Sequence, residues 1–192
     1  ALEGTLKGTL FDFKRDRYAK PVEGLPPLRR TTNMPLVAFF QPTVRKFSDR
    51  FDLQQLEQNF YKAEKNLYAS YFVIPFGNAS IAPFGVEGQM QPSMIGVHYE
   101  GSYKPERSGS FRLIGRADDV LLVRVNGKIV LDGSVIVPGK SSYSSWKQSS
   151  SQRKKDEQNK RVFFGFKPNF YALTGDWFNL RAGVDTDVEI FI

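Results

Sequence analysis

Residues Gly109–Gly133 read GSFRLIGRADDVLLVRVNGKIVLDG, and this stretch decides what kind of fold the chain can adopt. Val120–Val125 and Ile129–Leu131 are short apolar runs on either side of Asn126-Gly127. That dipeptide is the strongest short hairpin signal, because a type I′ turn needs positive φ at both central positions. Upstream, Ser110–Gly115 has strand composition, and Ala117-Asp118-Asp119 separates it from the hairpin. Two adjacent carboxylates repel one another unless a cation or hydrogen-bond donors compensate. Asp118-Asp119 therefore has two readings: a site for a hard cation such as calcium, which prefers several oxygen ligands, or a pair of caps on backbone N–H groups at a turn.

Working outward, most of the chain reads as β. Thr5–Lys14 alternates polar and apolar residues for much of its length, as a half-buried strand does. Leu36–Phe40, Tyr71–Ile74, Ile95–Tyr103, Val162–Phe166, Trp177–Leu180 and Val188–Ile192 are further strand candidates. One amphipathic helix is predicted near residues 53–68: Leu53, Leu56, Phe60, Ala63 and Leu67 fall on one helical face. Asp52 is placed to cap it, with Gln55 three residues on. Many short strands, turn dipeptides and a single helix predict a mainly β chain of the β-sandwich or barrel type.

The chain has 192 residues, which suggests one domain over 1–192. Its 27 Lys+Arg outweigh 20 Asp+Glu, for a net charge of +7. An excess of that size raises nucleic acid as a partner only where it forms a patch. Lys14–Arg30 and Lys147–Arg161 each hold six basic and two acidic residues, which leaves the rest of the chain close to neutral. Both segments read as long basic loops, 14–30 and 138–161. The first carries Pro21, Gly24, Pro26 and Pro27; seven of the twelve residues of Ser141–Gln152, in the second, are Ser. Single-stranded nucleic acid would want aromatics interleaved with the charges, and in the second segment only Tyr143 and Trp146 lie near, upstream of them. Nucleic acid is disfavoured as a partner. No apolar run reaches the roughly 18 residues of a membrane-spanning helix. With no Cys, thiol catalysis and disulfide frameworks are excluded.

Catalytic signatures are also missing, so an enzyme is not expected. His98 is the one histidine and reads as a structural strand residue. Asp185, Asp187 and Glu189 alternate as calcium ligands can, but the simpler account is the solvent face of the last strand, opposite Val188, Ile190 and Ile192. Asn78-Ala79-Ser80 fits the N-glycosylation pattern.

The Gly109-Ser110-Phe111-Arg112 lead-in, the Ala117-Asp118-Asp119 step and the Asn126–Val130 hairpin together resemble the centre of a PA14 domain. This is the β-rich module of protective antigens, bacterial glycosidases and fungal adhesins. Trp177–Gly183 followed by Asp187–Ile192 is similar to its late segment. The resemblance implies a secreted or cell-envelope module that binds carbohydrate or a cell-surface protein without catalysing a reaction. It further implies calcium held by Asp118 and Asp119, joined by a cis peptide and touching the glycan. Val120 stands where many members have Gly, and the chain ends at Ile192, before the loop that completes the adhesins' calcium site and before a final strand. Trp146, with Tyr143 and Tyr171, either offers a sugar-stacking surface or anchors loops. The alternative function is a structural or assembly module of a larger envelope protein, with Asp118-Asp119 as turn caps and no ligand.

Overall fold

The computed structural model describes residues 4–26, 39–40, 42–44, 46–47, 51–72, 74, 77–117, 120–134 and 173–192. It is mainly β, with antiparallel strand pairing throughout. Two compact units divide the chain, Ala1–Glu100 and Gly101–Ile192.

The first unit is built around β1 (Leu6–Asp12). On one side β1 pairs with the short strands β2 (Tyr61–Lys62) and β3 (Leu67–Ala69), and on the other with β4 (Ile95–Tyr103), Thr9 facing His98 and Leu10 facing Val97. The half-buried alternation expected of this strand gives way to burial on both faces: only Lys7 of its seven residues is more than marginally accessible. The neighbours explain why. His98 is 1% exposed, and the rings of Phe47 and Phe51 meet it at 5.9 and 6.1 Å. Tyr99, which points to the opposite face, is met by Phe72 at 5.1 Å. A second aromatic cluster joins Phe13 to Phe60 at 5.0 Å and to Phe40 at 6.0 Å.

Helix α1 spans Leu53–Asn59, with the Asp52 carboxylate accepting from the Gln55 N–H at 3.2 Å as the capping pattern predicts. It is much shorter than the stretch 53–68. Phe60 turns extended, and from there the backbone donors go to other partners: Tyr61 N–H to the Arg15 carbonyl at 3.1 Å, Ala63 N–H to the Leu10 carbonyl at 2.9 Å. The edge of β1 offers hydrogen bonds that compete with the i→i−4 ladder, and tertiary pairing overrides the helical spacing. Phe60 and Ala63 are buried nonetheless, from extended backbone. Two further strand expectations are corrected. Phe39 and Phe40 are helical, as are residues 42–44 and 46–47, and the strand placed at Tyr71–Ile74 lies earlier, at β3, leaving Tyr71 86% exposed. Short 3-10 helices follow at Gly77–Ser80 and Ala82–Phe84; in the first, Ser80 is buried and donates its hydroxyl to the Gly77 carbonyl at 2.8 Å.

The second unit holds the predicted hairpin. β7 (Leu122–Val125) and β8 (Lys128–Asp132) pair antiparallel through Asn126 and Gly127, whose φ values are 48° and 77°. β11 (Thr186–Phe191) lies along the other side of β7. Asn126 also ties the turn to β11: its N–H donates to the Asp187 carbonyl at 2.9 Å, and its Oδ1 accepts the Asp187 N–H at 3.0 Å. Two small antiparallel pairs complete the unit, β6 (Ile114–Gly115) with β9 (Leu173–Thr174), and β5 (Gly109–Phe111) with β10 (Phe178–Leu180). Val162–Phe166 lies outside the described residues.

Gly8 has little room around it. A Cβ there would come 2.5 Å from the Tyr99 ring, and Tyr99 is 3% exposed and held by Phe72. Gly8→Ala is expected to destabilise by about 1–3 kcal/mol, the usual range for overpacking. Gly88→Ala, with nothing within 4 Å of the added carbon, is expected to be near neutral. Urea unfolding of both variants checks this, and equal midpoints would refute the close-packing account.

Candidate functional site

Asp118, Asp119 and Trp146, with Tyr143, Tyr171 and the basic loop 138–161, lie outside the described residues, and so does the peptide bond joining the two aspartates. Among the described residues no group of three or more His, Asp or Glu side chains is arranged to hold a metal. Two of the three alternating acids at the chain's end are ion-paired: Asp185 meets Lys104 at 3.7 Å and Glu189 meets Arg124 at 3.4 Å. The simple two-faced pattern expected there also ends early, since Ile190 and Phe191 are both buried. His98 packs between phenylalanine rings inside the first unit, away from solvent.

Two places concentrate polar chemistry. In the first unit, Asp12 is 1% exposed at the end of β1. Its Oδ1 receives Lys14 Nζ at 2.6 Å and its Oδ2 receives Arg15 Nε at 2.8 Å. Lys14 is buried too, correcting its place in a solvated basic loop, and Arg15 lies 4.0 Å over the Tyr61 ring. These groups border a cleft of about 370 Å³ shared with Glu87, Met90 and Gln91. Burial pushes the Lys14 ammonium below its ordinary value, with the Asp12 carboxylate opposing the shift. A lysine with a lowered pKa beside a cleft is a standard candidate for base or nucleophile. Here the geometry argues otherwise. Besides Asp12, Nζ donates to the carbonyls of Gln91, at 3.2 Å, and Ser93, so all three ammonium donors are engaged. Lys14 is a tether that holds segment 91–93 against the end of β1.

The second place is the β5–β10 ribbon of the second unit. Phe111 faces Phe178 and Ser110 faces Asn179, so the two-residue period puts Ser110 and Arg112 on one face with Asn179 and Trp177. Phe111 and Phe178 fall on the other face and are half-buried, with Arg107 6.0 Å over the Phe111 ring. On the open face, Trp177 is 64% exposed. The Arg112 guanidinium sits 4.9 Å from the centroid of its ring, and Ser110 donates its hydroxyl to Asn179 Oδ1 at 2.6 Å. The guanidinium lies over the ring while the residue as a whole stays largely exposed. Aromatic platform, guanidinium, carboxamide and hydroxyl are thus gathered within two short strands. None of the four is a site residue that sequence reasoning singled out. The available signal was the aromatic Trp177-Phe178 at the head of a short strand, but its pairing partner lies 69 residues away in sequence at the Ser110–Asn179 contact.

Comparison with protein-family models finds none that matches the chain, and comparison with curated proteins finds no match either.

The tether has a pH signature. Lys14 is lowered in the folded state, so the unfolded chain binds more protons in the alkaline range below 10.5. The Lys14 contribution is therefore greatest above 10.5 and is lost as pH falls through the folded value. Burial raises Tyr99 above 10.0, which acts in the opposite sense at high pH but equally in both proteins of the comparison. The stability of wild type relative to Lys14→Met is expected to rise with pH across the alkaline range and level off above 10.5. Paired thermal melts over that range test it; a flat difference would mean that folding does not lower Lys14, its pairing with Asp12 offsetting its burial.

Proposed function

We propose that the chain is a non-enzymatic extracytoplasmic binding module that engages carbohydrate through the open face of the β5–β10 ribbon. The observation that carries this reading is the exposed indole of Trp177, held in place by Arg112 and flanked by Asn179 and Ser110. A sugar ring offers one face of C–H groups and a rim of hydroxyls. An indole stacks against the first, and a carboxamide and a hydroxyl bond the second. The cation–π contact reduces the freedom of the indole before a ligand arrives, which lowers the cost of ordering it on binding. The PA14 resemblance points to the same class of ligand. Calcium enters this proposal only through Asp118 and Asp119. Among the described residues no helix is long and apolar enough to cross a membrane.

Affinity electrophoresis of the chain through gels loaded with a panel of purified polysaccharides tests the proposal. At least one polysaccharide is expected to retard wild type, and Trp177→Ala to weaken that retardation about tenfold, the size of a lost stacking contact. Its melting temperature is expected to stay close to that of wild type, since the residue is largely exposed. Retardation that persists in EDTA would assign the ligand to the ribbon, and retardation abolished by EDTA would assign it to the acidic pair. Absence of retardation by every polysaccharide would overturn the proposal and leave the assembly-module reading.

A further inference from the structure

We infer that the cleft at the end of β1 is a binding site for a small organic carboxylate. This site belongs to the first unit and is independent of the sugar reading of the ribbon. Two observations carry it. The first is a surplus of charge. Asp12, Lys14 and Arg15 all line the cleft, and their side chains are 1%, 9% and 19% exposed. Two cations meet one carboxylate, so this largely buried group holds one positive charge in excess. Glu87, the other charged residue of the lining, is exposed and pairs with neither cation among the described residues. Water screens a charge in that position, and it offsets the surplus only weakly.

The second observation is an unpaired donor on the same side chain. Asp12 holds Arg15 Nε at 2.8 Å, and the Tyr61 ring centroid lies 4.0 Å from the guanidinium carbon. The guanidinium is thereby fixed on one edge and one face. Its Nη2 is buried and has no hydrogen-bond partner among the described residues. Lys14 differs, because Asp12 and two backbone carbonyls take all its donors. A buried N–H without an acceptor carries its full desolvation cost, and native structures satisfy nearly all such groups. Surplus charge and an unpaired donor together call for an acceptor that brings a negative charge. Guanidinium matches the planar pair of carboxylate oxygens. A monoanion balances the excess, whereas a dianion such as phosphate overshoots it and also faces Glu87. The cleft, about 370 Å³, is at the small end of the range for ligand sites, and buried Met90 gives it an apolar wall. A short-chain carboxylic acid fits that combination.

NMR titration of the nitrogen-labelled chain with butyrate and with butyramide, at constant ionic strength, separates charge from shape. The backbone amides of Gly88 and Gln89 report on the cleft. Butyrate is expected to shift them saturably and to bind about tenfold more tightly than butyramide, the size of one charge-assisted hydrogen bond. Arg15→Lys keeps a cation for Asp12 but removes Nη2, and is expected to bring butyrate down to the affinity of the amide. Glu87→Gln removes a like charge and is expected to strengthen butyrate binding about threefold, the scale of an exposed charge pair. Equal binding of butyrate and butyramide by wild type would overturn the inference. So would saturable shifts confined to the second unit, or none at all. Inorganic phosphate binding as tightly as butyrate would overturn the choice of a carboxylate in favour of general anion capture. The comparisons among butyrate, butyramide and phosphate are made on wild type, so they do not depend on any variant folding.

Discussion

A carboxylate with 1% of its surface exposed is tolerable inside a protein only when its charge is met, and Asp12 is met twice, by Lys14 at 2.6 Å and Arg15 at 2.8 Å. The organisation of the first unit follows from that constraint. Lys14 also gathers the carbonyls of Gln91 and Ser93, which brings in the segment leading to β4, and the Phe13 N–H donates to the Met94 carbonyl at 3.0 Å beside it. Arg15 reaches Tyr61 in two ways, through its guanidinium over the ring and through its carbonyl to the backbone N–H, and so starts β2. One buried charge thereby fixes where β1 ends, where β2 begins and where the chain must lie before β4. Breaking such a pair by removing one partner commonly costs about 3–5 kcal/mol, because the remaining charge stays buried.

The same node changes what the basic excess means. Lys14–Arg30 looks in sequence like a solvated cationic loop, but its first two cations are turned inward on a carboxylate. The next residues also fold on themselves. The Asp16 carboxylate accepts the N–H groups of Tyr18 and Lys20, both at 2.9 Å, and the Asp16 N–H donates to the Lys20 carbonyl at 2.8 Å. Side-chain oxygens of Asp routinely close turns in this way. Residues 14–26 are therefore an ordered turn with internal hydrogen bonds, and fewer of their charges face solvent than the composition suggests.

Features set by local chemistry were legible in the sequence. Asn126-Gly127 makes its hairpin because both residues must take positive φ, a property of the dipeptide itself, and Asp52 caps α1 because its carboxylate reaches its own chain three residues on. What was misread depended on distant partners. Phe60 and Ala63 have helical spacing, yet the carbonyls of Arg15 and Leu10, roughly fifty residues earlier in the chain, take the donors that the helix would have used. Thr5–Lys14 reads as half-buried because nothing local says that Phe47, Phe51 and Phe72 will cover both of its faces by way of His98 and Tyr99. The ribbon face is the extreme case. Ser110 and Arg112 are unremarkable polar residues until β10 lies beside them, and only then do they share a surface with Trp177. The acidic pair stood out because its chemistry is visible in two adjacent letters, whereas the platform's is distributed across a strand pairing.

An exposed ribbon and a buried pocket make different kinds of binding site, and the difference bears on what this surface could be for. A pocket encloses most of its ligand and draws on desolvation; an open face with one indole contacts one side of one sugar ring. Stacking worth about 1 kcal/mol and one or two hydrogen bonds of similar size give weak affinity for a single ring. A polymer alters that arithmetic, because neighbouring residues of the same strand hold the next ring close to the face after each dissociation, and copies of the module on one scaffold gain by effective concentration. A face of this form is suited to a repeating saccharide at a surface and poorly suited to scavenging a free monosaccharide.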